Sequence, residues 1–340
     1  MIPAGEVAPP AAGAPVVGVR DLFVGFGGGR KREGRVRAVD GVSFEVAPGE
    51  VFCIAGESGC GKTTLGRALL GLVKPDHGEV HVAGSEVSRL GGRRLKDFRR
   101  KAQMIYQDPM GSLNPRQTVY EAVAEGARIH ALEGREEELV AGALSRAGLR
   151  PPARFFLSYP HELSGGQRQR VVIASALILG PDLLVADEPV SMLDASVRGE
   201  ILKLLIDLKA EMGLTLILIT HDLGFAWALA DRVAVMYLGK IVELGPVEQV
   251  LTRPLHPYTK SLLEVAPEVG RRKDASVLTG EPPDPANIPP GCRFHTRCPV
   301  VVSGRAGAEE PRCRSEIPEL RELWPGHFAA CHLAEAALPP

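Results

Sequence analysis

Strand-like apolar runs occupy Val16–Leu22, Ala38–Val46 and Val51–Ala55, and the last ends in a glycine-rich turn that opens into a helical pattern from about Lys62 to Leu70. Gly71 stops that helix, and Pro75, Asp76 and Gly78 make a turn into an alternating strand over Glu79–Ala83. From about Asp108 to Gly180 strand signals fade and helical periodicity takes over, as in Tyr120–His130 and Arg135–Gly148, which predicts a helical insertion. Strands return at Leu183–Ala186 and Thr215–Thr220 on either side of a helix over about Ala195–Met212. That alternation is the one expected of a parallel α/β sheet. Further strands are expected at Arg232–Tyr237 and Lys240–Leu244.

A chain of 340 residues accommodates one large domain or two modest ones. With Lys+Arg 40 against Asp+Glu 41, the whole-chain field gives no steer toward nucleic acid or acidic membrane. The most apolar stretches, Val171–Leu179 and Leu214–Thr220, fall far short of the roughly 20 apolar residues of a spanning helix. The start, Met1–Arg20, is rich in Ala, Pro and Gly without a basic leader or sustained apolar core, so residues 1–14 read as a disordered cytoplasmic tail rather than a signal peptide. After Pro267 the composition shifts toward Pro, Arg and Gly, with five prolines in Glu281–Gly291, which predicts an extended linker over 267–290. Residues 291–340 then read as a loop-rich module that needs a staple, because so short a piece builds little core. No internal repeat is visible.

The string Gly56-Glu57-Ser58-Gly59-Cys60-Gly61-Lys62-Thr63-Thr64 fits G-x-x-x-x-G-K-[ST], after a strand and at the opening of a helix. Glycines let the backbone curl so that successive N–H groups and the helix N-terminus face phosphate oxygens. Gly56, Ser58, Gly59, Cys60, Gly61, Lys62, Thr63 and Thr64 are therefore candidate nucleotide contacts, Lys62 for the β- and γ-phosphates and Thr63 for Mg²⁺. Leu183-Leu184-Val185-Ala186-Asp187-Glu188 is an apolar strand ending in two carboxylates. Asp187 is placed to hold Mg²⁺ through water, and Glu188, pointing differently along the strand, to polarise the attacking water as general base. A plain glycine turn and a solvated acidic strand end are the alternatives for each motif alone; their conjunction argues against both.

Leu163-Ser164-Gly165-Gly166-Gln167-Arg168-Gln169-Arg170 resembles the signature of the ABC ATPase family, although Ser164 also reads as an ordinary helix N-cap. The resemblance implies an α/β P-loop NTPase fold over residues 15–266, with a helical subdomain at about 108–180, an antiparallel β portion and a small C-terminal extension. It implies that Ser164, Gly165, Gly166 and Gln167 bind the γ-phosphate of ATP held by an opposite subunit. Gln107 then resembles the Q-loop glutamine that contacts Mg²⁺, Ser191-Met192-Leu193-Asp194 the D-loop with Asp194 near nucleotide, and His221 the switch histidine. Catalysis by that pattern falls to Glu188, His221, Lys62 and Gln107. Phe26, with Phe23 behind it, is the candidate for stacking on adenine, beside an insertion at Gly27–Arg37. Ser175 departs from relatives that carry Arg there.

The strings Tyr106-Gln107-Asp108-Pro109 through Ser112-Leu113-Asn114-Pro115-Arg116, Tyr159-Pro160-His161-Glu162 and His256-Pro257-Tyr258-Thr259 are similar to those of oligopeptide and dipeptide importer ATPases. By that resemblance the partners are two membrane permeases, a second ABC ATPase in a heterodimer and, indirectly, an extracytoplasmic peptide-binding protein, with no nucleic acid. The chain would sit on the cytoplasmic face of the membrane. Cys292, Cys298, Cys313 and Cys331 crowd about the last fifty residues. Four thiols there suit a [4Fe-4S] cluster, zinc or simple burial, and the C-x₅-C…C…C spacing does not choose; the resemblance implies the cluster. Cys53 and Cys60 read as structural thiols, Cys60 within the phosphate loop. The rival functions are a soluble ABC ATPase acting on nucleic acid or ribosomes, and an importer of nickel or oligosaccharide.

Overall fold

The computed structural model describes residues 14–27, 35–265 and 280–335. Residues 1–13 of the expected tail and much of the expected linker lie outside them, as do residues 28–34 of the Gly/Arg insertion. β1 (Val17–Phe26) and β2 (Val36–Val46) pair antiparallel from end to end. β3 (Val51–Ala55) is buried at every position and begins a second sheet. α1 (Lys62–Leu69) follows, after which β4 (His77–Val82) and β5 (Ser85–Glu86) return to complete a four-stranded sheet ordered β2-β1-β4-β5.

α2 (Gly92–Lys101), a basic helix that buries only Phe98, leads straight into β6 (Ala102–Ile105). Four helices follow without a strand between them: α3 (Pro109–Ser112), α4 (Val119–His130), α5 (Glu136–Arg146) and α6 (Gly165–Leu177). α4 starts where it does because Thr118 and Glu121 form a reciprocal capping box. The chain then alternates: β7 (Leu183–Asp187), α7 (Ala195–Met212), β8 (Thr215–Thr220), α8 (Leu223–Leu229), β9 (Arg232–Tyr237) and β10 (Lys240–Pro246). α9 (Val247–Thr252) and α10 (Pro257–Val265) precede the described C-terminal segment, which adds α11 (Pro299–Val302), α12 (Glu310–Ser315), β11 (Arg321–Trp324) and β12 (His327–Ala329).

The large sheet runs β11-β12-β10-β9-β3-β8-β7-β6. From β6 to β9 the neighbours are parallel, and helices cover both faces, which is why β3, β7 and β8 are apolar without alternation. One core lies between this sheet and α4 to α7, and a second between it and the antiparallel sheet, where Phe44 stacks on Phe52 with centroids 4.9 Å apart.

The cysteine-bearing segment, expected to build little core of its own, packs against the larger fold. Phe294, Cys298, Val301 and Cys313 belong to the same core as the helices, and β12 pairs antiparallel with β10 through Glu243↔Ala329 and Leu244↔Phe328. Fully buried Glu243 accepts from the backbone N–H groups of Leu255 and His256 at 2.7 and 3.0 Å, and lies 2.8 Å from His327 Nε2. A buried carboxylate so partnered fixes where the segment docks. The segment thus borrows the core of the larger fold instead of building its own.

Candidate active site

Between the end of β3 and the start of α1 the chain must reverse within residues 56–61, and two glycines make this possible. Gly56 has φ +151°, and a Cβ there would lie 2.2 Å from the Met236 carbonyl; Gly61 has φ +108°, and a Cβ would meet the Ala38 carbonyl at 1.9 Å. Neither position tolerates a side chain. Lys62 is buried and curls its Nζ back to donate to the carbonyls of Gly56 and Glu57 at 2.7 and 2.9 Å, which holds the loop open around its centre. Ser58 and Gly59 are exposed at the mouth, Thr64 is half-buried in the first helical turn, and Cys60 lies buried beneath, where burial pushes its thiol up.

β7 is the neighbour of β8, which is the neighbour of β3, so the end of β7 falls beside the loop. Thr63 Oγ1 donates to Asp187 Oδ1 at 3.1 Å. Burial raises the Asp187 carboxyl above the usual range, against the pull of the Thr63 hydroxyl, so a cation bound there would be favoured by the charge it relieves. One residue on, Glu188 stands at φ +46°, a backbone position rare for any residue with a Cβ, pinned by its N–H donating to the Ile219 carbonyl at 2.8 Å. Its carboxylate is met from two sides. Gln107 Nε2 donates to Oε2 at 3.1 Å, and His221 Nδ1 lies 3.2 Å from Oε1. Two residues from two other loops, each read separately from sequence, therefore converge on the Glu188 carboxylate next to the Thr63–Asp187 pair.

The remaining candidates stay apart from this cluster. Ser164 and Gln167 form a capping box on α6, with Ser164 Oγ accepting from Gln167 N at 3.3 Å and Gln167 Oε1 from Ser164 N at 2.9 Å. Ser164 and Gly165 are exposed, and Gly166 is half-buried against Val197. Among the described residues no hydrogen bond joins this turn to the phosphate loop. Asp194 is an exposed backbone N-cap of α7. Phe23 is engaged edge-on with His77, whereas Phe26 is 45% exposed at the end of β1, which leaves Phe26 the freer ring for stacking. Ser164→Ala is expected to cost about 1 kcal/mol of stability as a lost cap. If the hydroxyl also binds phosphate, turnover falls further than a thermal melt of the same variant accounts for.

Family models for ABC transporter and for the oligopeptide/dipeptide transporter C-terminal region match residues 39–191 and 242–304 respectively. The oligopeptide transport ATP-binding protein AppF of Bacillus subtilis is 46% identical over 311 residues, 89% of this chain and 92% of that one. The chain belongs to the oligopeptide/dipeptide group of ABC transporter ATP-binding proteins. A dimeric ABC cassette, MJ0796, in a post-hydrolysis state with ADP and Pi, superimposes with TM-score 0.61 at 29% identity, covering 68% of this chain and 98% of that one. CbiO1 of Clostridium perfringens, part of an ABC transporter complex, gives TM-score 0.61 at 30% identity over 70% and 91% of the two chains. The P-loop ABC ATPase fold expected from the sequence is thus the fold of this cassette, and ATP hydrolysis is its chemistry.

In this ABC cassette the four C-terminal cysteines come together. Cys292, Cys298, Cys313 and Cys331 line one small cavity with His256 and Phe294, and none forms a disulfide. Burial pushes Cys292 up to about 11 and Cys331 up to about 12. As they stand, no three His, Cys, Asp or Glu side chains among the described residues form a ready metal site. Sequence reasoning also passed over Arg293 and Arg297, because the Cys292–Cys298 string drew attention only to its thiols. Their burial, at 5% and 8% exposed, is the signal that they bind something within the fold.

Proposed function

We propose that the chain binds and hydrolyses ATP to drive a membrane importer of oligopeptides or dipeptides. The observation that carries the catalytic half is the meeting of Gln107 and His221 on the Glu188 carboxylate, beside Thr63 and Asp187. In this reading Lys62 and the loop N–H groups bind the phosphates, and Thr63, Asp187 and Gln107 hold Mg²⁺. Glu188 takes the proton from the attacking water, and His221 keeps Glu188 oriented and contacts the γ-phosphate. Phe26 stacks on adenine. The signature turn, Ser164 to Gln167, together with Asp194, faces solvent in a single chain, which fits a site completed by a second subunit's nucleotide. Two such sites closing on ATP pull the permease halves toward their other access state, a population shift driven by differential affinity.

Peptide cargo rests on the kinship with AppF and on the matched C-terminal region. Among the described residues no helix is long and apolar enough to cross a membrane, so on this reading two permease subunits supply the pore. A groove of about 460 Å³ between β6, α4 and α6, lined by Tyr106, Leu113, Ile129 and Leu179, opens next to Gln107 and suits a short permease helix. A second, distinct ATPase completes the dimer, following the Leu113-Asn114-Pro115-Arg116 form of the string. The experiment is gentle detergent extraction of the tagged protein from its native membrane, followed by mass spectrometry. Two permeases, another ABC ATPase and a peptide-binding protein are expected; ribosomal proteins or nucleic acid without permeases would replace import by the rival reading.

We propose that the four cysteines hold a [4Fe-4S] cluster, a reading supported by four thiols from three separate stretches of chain lining one small cavity. A cationic centre there would supply structural cross-linking and relieve the cost of thiolate formation. Protein purified without oxygen is expected to carry about four iron and four sulfide per chain with broad visible absorption. Stoichiometric zinc, or neither metal, removes the cluster.

A further inference from the structure

The Cys292–Cys298 loop reaches back to the phosphate loop through its arginines. Arg297 donates from Nη1 and Nη2 to the two carboxylate oxygens of Glu57 at 2.9 and 3.1 Å, and its guanidinium lies against Tyr237. Arg293 pairs with Asp40 and donates to the Leu238 carbonyl. Phe294, between them, packs on Tyr237 and Tyr258 at 5.3 Å each, so the loop is held as a unit. Glu57 is the second residue of the phosphate loop, and all its polar groups are engaged. Its N–H donates to the Tyr258 hydroxyl at 2.9 Å, its carbonyl accepts from Lys62, and its carboxylate takes the Arg297 fork.

A carboxylate in a loop built to receive a triphosphate opposes that ligand by like-charge repulsion. A buried bidentate guanidinium cancels the charge and fixes the side chain in one geometry, which a lysine point charge does less well. We infer that Arg297 is a positioning residue for nucleotide binding: by neutralising and orienting Glu57 it sets the affinity of the phosphate loop, and makes that affinity answer to the C-terminal loop. The inference rests on the nucleotide reading of residues 56–64.

The test is fluorescence titration of the full chain with N-methylanthraniloyl-ATP, with steady-state turnover and a thermal melt measured in parallel. Arg297→Gln is expected to weaken binding about tenfold, with kcat at saturating ATP changed less than about twofold. Adding Glu57→Gln to Arg297→Gln is expected to recover most of the lost affinity, because the uncompensated charge is gone. Arg297→Lys, the milder variant, is expected to lose about threefold. Unchanged affinity in Arg297→Gln or Arg297→Lys overturns the inference. So does a double variant no tighter than Arg297→Gln, which would leave Arg297 a structural tie alone. Failure of the unaltered chain to bind the probe overturns the nucleotide reading and the inference together, and so is distinguishable from both.

Discussion

Glu188→Gln lowers ATP turnover by about a thousandfold while nucleotide binding survives, since general-base contributions run from roughly 10² to 10⁴. The substitution preserves volume, and the amide oxygen still accepts from Gln107 as the carboxylate does at 3.1 Å. What it removes is the ability to take a proton. It also removes one negative charge next to Asp187 and the proposed γ-phosphate position, so ATP is expected to be held at least as well and the proposed ATP-bound dimer to persist for want of hydrolysis. Single-turnover kinetics and size-exclusion chromatography with ATP measure the two effects separately. Undiminished hydrolysis would take Glu188 out of its role, and the strained φ of +46° would then need another account.

Lys62→Ala acts at the earlier step and weakens ATP binding by about a hundredfold, as expected for loss of a charge-assisted contact to phosphate in a sheltered site. A second effect reinforces it. Lys62 Nζ donates to the carbonyls of Gly56 and Glu57, so alanine takes a donor from each, and among the described residues the Glu57 carbonyl keeps only the 3.4 Å bond from the Cys60 N–H. Calorimetric titration with ATP and Mg²⁺ checks this, and a normal dissociation constant with low turnover would move Lys62 from binding to chemistry. The two variants thus separate affinity from catalysis at sites only a few side chains apart.

Much of this was legible from residue order. β3, β8 and β9 coincide with the expected spans because parallel strands buried on both faces write themselves as uninterrupted apolar runs. α7 coincides too, stopped by Gly213 in the left-handed conformation. The phosphate loop was readable because its geometry forbids side chains at fixed offsets. α2 and β6 gave little signal, since a helix with one buried residue has no apolar stripe and a four-residue strand has little room to alternate. β11 and β12 are shorter still. The Arg297–Glu57 pair spans 240 positions, and no local pattern announces a partner so distant. Likewise the meeting of Gln107, Glu188 and His221 follows from strand order, which periodicity does not contain.

The docking of β12 on β10 bears on how the protein is made. A chain emerging from the ribosome presents residues 56–64 early, and domains generally begin folding as their segments appear. Yet β10 remains an open edge, and Glu57 lacks its guanidinium, until residues 293–329 have also emerged. An unpaired edge strand is a template for wrong pairing. A chain that has made β10 but not residues 293–329 therefore exposes an edge open to pairing with another such edge, and its phosphate loop still carries the uncompensated carboxylate of Glu57.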